Sequence, residues 1–100
     1  MSCWLPETLY HYSPKKNRES ILENGLLGGR YHDGRWCIYL SDSPDTWKGY
    51  VEDGDLWKVS INGLNAQDFG RLDDEITYRG KVDGKIRILP EYLERIKLKP

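Results

Sequence analysis

Long hydrophobic runs are missing from this 100-residue chain. No stretch approaches the roughly 20 apolar residues of a membrane-spanning helix, so a membrane partner is not expected. Cysteine is scarce: Cys3 and Cys37 are the only two, and pairing them would close a long loop, so a disulfide scaffold is excluded as a class. Residues 1–6 offer no basic segment followed by an apolar run. The expectation is therefore a soluble protein of the cytoplasm with both thiols reduced. The two common phosphate cradles, the Walker loop and G-x-G-x-x-G, are absent, and so is any Cys-x-x-Cys. Cys3, His11, His32 and Cys37 supply ligand types for zinc, but their spacing matches no closed tetrahedral pattern, and no metal is expected. Charge of one sign is lacking overall, with a net of −1. It is unevenly spread, because the central third is acidic and residues 76–100 are basic. A solvated surface accounts for that balance, and a basic end also suits an anionic partner.

What the chain does have is aromatic bulk, with four Trp and seven Tyr, in a length suited to one domain spanning 1–100. Residues 8–12 read as a first strand. Ser13 then suits a helix N-cap and Pro14 the first helical position. The helix should run through Ile21 and Leu22 and stop at Gly25, a residue suited to the left-handed C-terminal position. Lys15, Lys16 and Arg18 on its first turn oppose the helix dipole, which hints at anion contact.

After a glycine-punctuated loop, residues 36–40 form a continuous apolar run expected to be a central, buried strand. Ser41-Asp42-Ser43-Pro44 repeats the Ser-Pro device, so a second short helix should carry Trp47 and Tyr50. An acidic turn is expected at 52–55. Residues 56–62 alternate, with Trp57, Val59 and Ile61 on one face, as in a half-buried strand. Residues 65–74 show no period and read as a connection. Residues 75–79 form another strand, which Asp83-Gly84 should turn back into 85–89. A helical turn at 90–93 and a last strand at 96–98 complete the chain. The sum is an α+β fold with five or six short strands and its one or two helices in the N-terminal half.

Three side chains stand out, and each has two readings. His11 lies mid-strand, as a core imidazole satisfied by a carbonyl or as a ligand contact. Tyr39 either packs or offers a flat face for stacking on a heteroaromatic ring. Glu75 either ends a loop or supplies a carboxylate to a sugar hydroxyl and to positive charge developing on a ribosyl carbon. Asp73-Asp74-Glu75 is also a solvated acidic edge or a hard-cation site.

Their order along the chain adds to this. Leu9-Tyr10-His11-Tyr12-Ser13-Pro14 is followed by Ser20-Ile21-Leu22-Glu23-Asn24-Gly25-Leu26, then by Ile38-Tyr39-Leu40-Ser41-Asp42-Ser43-Pro44. Glu75-Ile76-Thr77-Tyr78-Arg79-Gly80 and Leu89-Pro90-Glu91-Tyr92-Leu93 complete the series. Over nearly its whole length the chain resembles the small ADP-ribosyltransferases of the His-Tyr-Glu type. The resemblance implies a split mixed or antiparallel sheet around an NAD cleft. It also implies that His11, Tyr39 and Glu75 are the signature residues. His11 would hydrogen-bond NAD ribose, the backbone beside Tyr12 would hold the nicotinamide amide, and Tyr39 would stack on the ring. Glu75 would contact the nicotinamide ribose and stabilise the oxocarbenium-like transition state. Ser13 would be a secondary contact, with Arg30, Arg35 and Arg79 available to phosphate.

The function this implies is transfer of ADP-ribose from NAD to a protein, nucleic acid or small-molecule acceptor, with release of nicotinamide. A non-catalytic nucleotide- or partner-binding module is the alternative. RNA 2′-phosphotransfer, known on the same architecture, ranks lower because Tyr10 rather than Arg precedes His11.

Overall fold

The computed structural model describes residues 5–28, 31–32, 35–44, 54–72 and 75–96, with the backbone alone at 31, 32, 35, 36 and 72. The expected second helix with Trp47 and Tyr50, the acid pair Asp73-Asp74, and Cys3 and Arg30 lie outside these residues. The same holds for the side chains of His32 and Arg35.

Two three-stranded sheets carry the architecture. The first has the order β1 (Thr8–Pro14), β6 (Gly54–Ser60), β11 (Leu93–Ile96). The second has the order β5 (Ile38–Leu40), β8 (Glu75–Tyr78), β7 (Phe69–Leu72). A third small sheet joins β2 (Leu26–Leu27), β10 (Lys85–Ile88) and β9 (Lys81–Val82). Strands β3 (Tyr31–His32) and β4 (Arg35–Trp36) form a separate ladder. All described pairings are antiparallel. The two larger sheets meet at one bridge, where Tyr10 and Ser41 exchange both backbone hydrogen bonds at 2.8 Å. The fold is thus mixed helix and antiparallel sheet. Its strands are more numerous than the expected five or six, because short segments with no alternation of their own pair as well.

Strand β6 is central, flanked on both sides, and its burial departs from simple alternation. Trp57 and Val59 face the core as expected, but Leu56 on the opposite face is buried too. In the second sheet Ile38, Leu40, Ile76, Tyr78 and Phe69 share the buried face, and Phe69 and Tyr78, directly opposite one another, place their rings 4.7 Å apart. Leu9, Ile21, Leu26 and Ile88 join them in one continuous core. No helix among the described residues is long and apolar enough to cross a membrane.

Several expectations need correction. Ser13 and Pro14 stay extended, because their register with Asp55 and Gly54 prolongs β1. A 3-10 turn at Lys15–Asn17 then leads into α1 (Arg18–Asn24), and Ser13 caps neither, its hydroxyl instead accepting from the Asn17 side chain at 3.3 Å. The helix does end at Gly25, with φ +83°. The run 36–40 is split at Cys37 between β4 and β5. Gly54 and Asp55 belong to β6 rather than to an acidic turn. Residues 69–72, read as connection, are strand β7. The Asp83-Gly84 turn has φ +54° and +80°, as a two-residue hairpin requires, but it joins β9 to β10 and not β8 to β10. The last strand comes earlier than expected, at Leu93–Ile96.

Candidate functional site

His11 sits at the seam between the two main sheets. On one side it is paired with Trp57 of β6. Toward the other, its ring crosses to β5, where Nδ1 lies 2.8 Å from the carbonyl oxygen of Tyr39. A carbonyl only accepts, so Nδ1 must carry the proton and donate. Removal of the ring from water lowers its pKa below the ordinary 6.5, and the bond to Tyr39 opposes this with a smaller effect. The imidazole is therefore neutral near pH 7, with Nε2 a bare acceptor. No described residue pairs with Nε2, and it is not among the polar atoms shut off from solvent.

Tyr39 and Glu75 share a face. Tyr39 alternates with buried Ile38 and Leu40, so it projects away from the core, half-exposed. Directly opposite is Thr77, and Glu75 is two residues along β8 on the same side. A diagonal neighbour of this kind lies about 7–8 Å away, within reach of an aromatic or long side chain. Opposite Thr77 on β7 is Gly70, where a Cβ would come within 3.0 Å of the threonine hydroxyl. The row Tyr39, Thr77, Gly70 thus runs from a ring to bare backbone. The Glu75 carboxylate has no hydrogen bond or ion pair to a described residue.

Tyr12 is half-buried, and its hydroxyl donates to the Pro44 carbonyl at 2.8 Å, tying β1 to the chain after β5. Ser13 is buried at 3% exposure, on the same face of β1 as Leu9 and His11, and is therefore part of the packing beneath the helix start. Arg35 contributes its backbone to β4, opposite His32. The basic first turn divides: Lys15 and Lys16 are exposed, whereas Arg18 makes a two-pronged contact with Asp55 at 2.9 and 2.8 Å. The hint of an anion contact at Arg18 is thereby met by the protein's own carboxylate.

Asp55 is inconspicuous in the sequence, because the acidic run before it resembles a turn. It is 5% exposed, opposite Ser13, and Arg95 of β11 approaches it at 3.6 Å. The hydrogen bonds from Arg18 hold its carboxyl below the ordinary 3.8 despite burial, with Arg95 adding to the effect. Among the described residues no three His, Cys, Asp or Glu gather as a metal site would require.

Both titrations have a consequence for stability. The unfolded chain binds the His11 proton more tightly than the folded one, so stability is lost as pH falls below about 6.5. The Asp55 contribution is complete above its unfolded value of about 3.8 and is lost as pH falls further, through the lower folded pKa. Urea midpoints measured from pH 7.5 to 3 should therefore fall in two stages. His11→Asn should flatten the upper stage and Asp55→Asn the lower one, and a midpoint indifferent to pH would contradict both assignments.

No protein-family model matches the chain, and no curated protein sequence matches it.

Proposed function

We propose that the protein is a compact NAD-dependent ADP-ribosyltransferase with an ADP-ribosyltransferase-like split sheet, using His11, Tyr39 and Glu75. The observation that carries this reading is the 2.8 Å bond from His11 Nδ1 to the Tyr39 carbonyl. It couples two of the three motif residues at the junction of two sheets, and the third lies on the face that Tyr39 presents. The donor set suits the dinucleotide. The neutral imidazole offers Nε2 to a ribose hydroxyl, the phenol ring offers a stacking face to nicotinamide, and Glu75 offers a carboxylate with no competing partner among the described residues.

In the reaction the bond from ribosyl C1′ to the pyridinium nitrogen breaks, and its electron pair leaves with neutral nicotinamide. Positive charge grows on C1′ and the ring oxygen, where the Glu75 carboxylate stabilises it. The acceptor nucleophile then bonds to C1′ and loses its proton to solvent. Among acceptor classes, nucleic acid is favoured by the basic surface around the β9–β10 hairpin: Lys81 and Lys85 on it and Arg79 just before it are all exposed, with Asp83 the only acid between them.

Incubation with NAD tests the reading directly. Free nicotinamide should appear over the uncatalysed background, faster when single-stranded RNA or DNA is present, and His11→Ala should weaken NAD binding by about tenfold. No nicotinamide from the wild type, together with NAD affinity unchanged in His11→Ala, would end it. An RNA 2′-phosphate removed in the presence of NAD would move the assignment to phosphotransfer.

A further inference from the structure

Trp57 is 1% exposed, and its indole Nε1 is the one buried side-chain polar atom among the described residues that has no hydrogen-bond partner. Such groups are rare in folded proteins and call for an explanation. Its place in the sheet provides one. Trp57 is the residue directly opposite His11, so both side chains leave the same face with their Cβ atoms about 4.5–5.5 Å apart. On this pair of neighbours one nitrogen is a donor without an acceptor. The other, Nε2 of His11, is an acceptor without a donor among the described residues.

They are complementary, yet they do not bond to each other. A single group that accepts from the indole and donates to the imidazole would satisfy both, and a hydroxyl does so with one atom. Packing in the core shared with Leu9 and Val59 explains the bulk of Trp57, but not a buried N–H left without a partner on the same face as the imidazole. The next position along this row, Arg95, is drawn toward Asp55, which leaves the indole without competition from that side.

We infer that Trp57 is a binding residue for a sugar hydroxyl: its indole N–H and His11 Nε2 together grip one ribose hydroxyl of the dinucleotide. This rests on the NAD reading above and assigns to it a residue outside the three signature positions. The indole N–H is closed off from solvent, so seating the hydroxyl requires the two paired side chains to part. A hydroxyl there is both held and oriented, because its donor and acceptor directions are fixed by different strands. A ribose lacking that hydroxyl would leave both nitrogens unsatisfied, so the pair discriminates as well as binds.

The indole N–H resonances of the ¹⁵N-labelled full chain provide the test. Replacing Trp57 by Phe assigns its peak, and if that variant does not fold, single Phe replacements at Trp4, Trp36 and Trp47 assign it by elimination. Added NAD should move the Trp57 resonance more than the other three, while nicotinamide alone, which carries no hydroxyl, should leave it in place. Trp57→Phe should weaken NAD binding about fivefold, as expected for the loss of one neutral hydrogen bond. If the wild type binds NAD with the Trp57 resonance unmoved, the hydroxyl grip is wrong and the NAD reading survives. If nicotinamide alone moves it, an amide rather than a hydroxyl occupies the place, and the inference fails in that form. If NAD does not bind at all, both proposals fall.

Discussion

Glu75→Gln is expected to lower nicotinamide release from NAD by two to three orders of magnitude while leaving NAD affinity within about threefold of wild type. The split between the two effects follows from when the carboxylate is needed. On the proposed reading it would meet a neutral ribose hydroxyl in the ground state, where a glutamine oxygen would accept the same hydrogen bond. In the transition state it would face positive charge on the ribosyl carbon, and a neutral amide would offer only its dipole. Interactions that strengthen only in the transition state change turnover and not binding. Glutamine preserves the size of the side chain, and Glu75 makes no ion pair to a described residue, so the fold has no reason to change. Release measured by chromatography and affinity by calorimetry check the two halves separately. Equal losses in both would make Glu75 a binding residue, and no loss in either would remove it from the site.

The same strand illustrates how much of this protein is legible in its sequence. Residues 75–78 alternate between a half-exposed and a buried face, and a period of two can be read without coordinates. Gly25 announced the end of α1 and Asp83-Gly84 its hairpin, because positive φ narrows the choice of residue to very few. What could not be read is pairing. Nothing in residues 81–82 indicates that they, and not β8, complete the hairpin with β10. Nothing in residues 69–72 signals a strand, since a glycine and an arginine interrupt any apolar pattern and the segment exists as β7 through its ladder with β8. Cys37 divided an apolar run because its two ends pair with different partners.

The candidate site divides along the same line. His11 and Tyr39 were visible as polar rings within apolar strands, and their resemblance to a known motif supplied the reason to connect them. The connection itself, an imidazole proton on a neighbouring strand's carbonyl, depends on β1 and β5 meeting at Tyr10 and Ser41. Asp55 and Trp57 were hidden by their neighbours. The first looked like the end of an acidic turn, and the second like one more apolar residue in an alternating strand. Their roles depend on what lies across the sheet: Ser13 and His11 on one side, Arg95 on the other. Cross-strand partners are a property of register, which a single strand's sequence does not encode.

Gly25→Ala should destabilise the protein by about 3–5 kcal/mol. Two independent causes act at this position. Its backbone, at φ +83° and ψ −169°, lies in a region essentially reserved for glycine, and strain there costs about 1–3 kcal/mol for any other residue. In addition, a Cβ would stand 2.0 Å from the carbonyl oxygen of Ile88. That oxygen cannot swing aside like the end of a flexible side chain, because Ile88 pairs with Leu26 across β10 and β2 and is itself fully buried. Relief requires the end of α1 to move away from β10, which pulls Ile21 and Leu26 out of the core they share with Ile88. At about 4–8 °C per kcal/mol for a domain of this size, the melting temperature should drop by more than about 12 °C. Gly84→Ala is the control. That glycine also has positive φ, at +80°, but nothing lies within 4 Å of its Cβ position, so only the backbone cost remains. Thermal unfolding followed by circular dichroism should rank Gly25→Ala well below Gly84→Ala. Equal shifts for the two would mean that strain alone sets the cost and that the close approach of α1 to β10 contributes nothing.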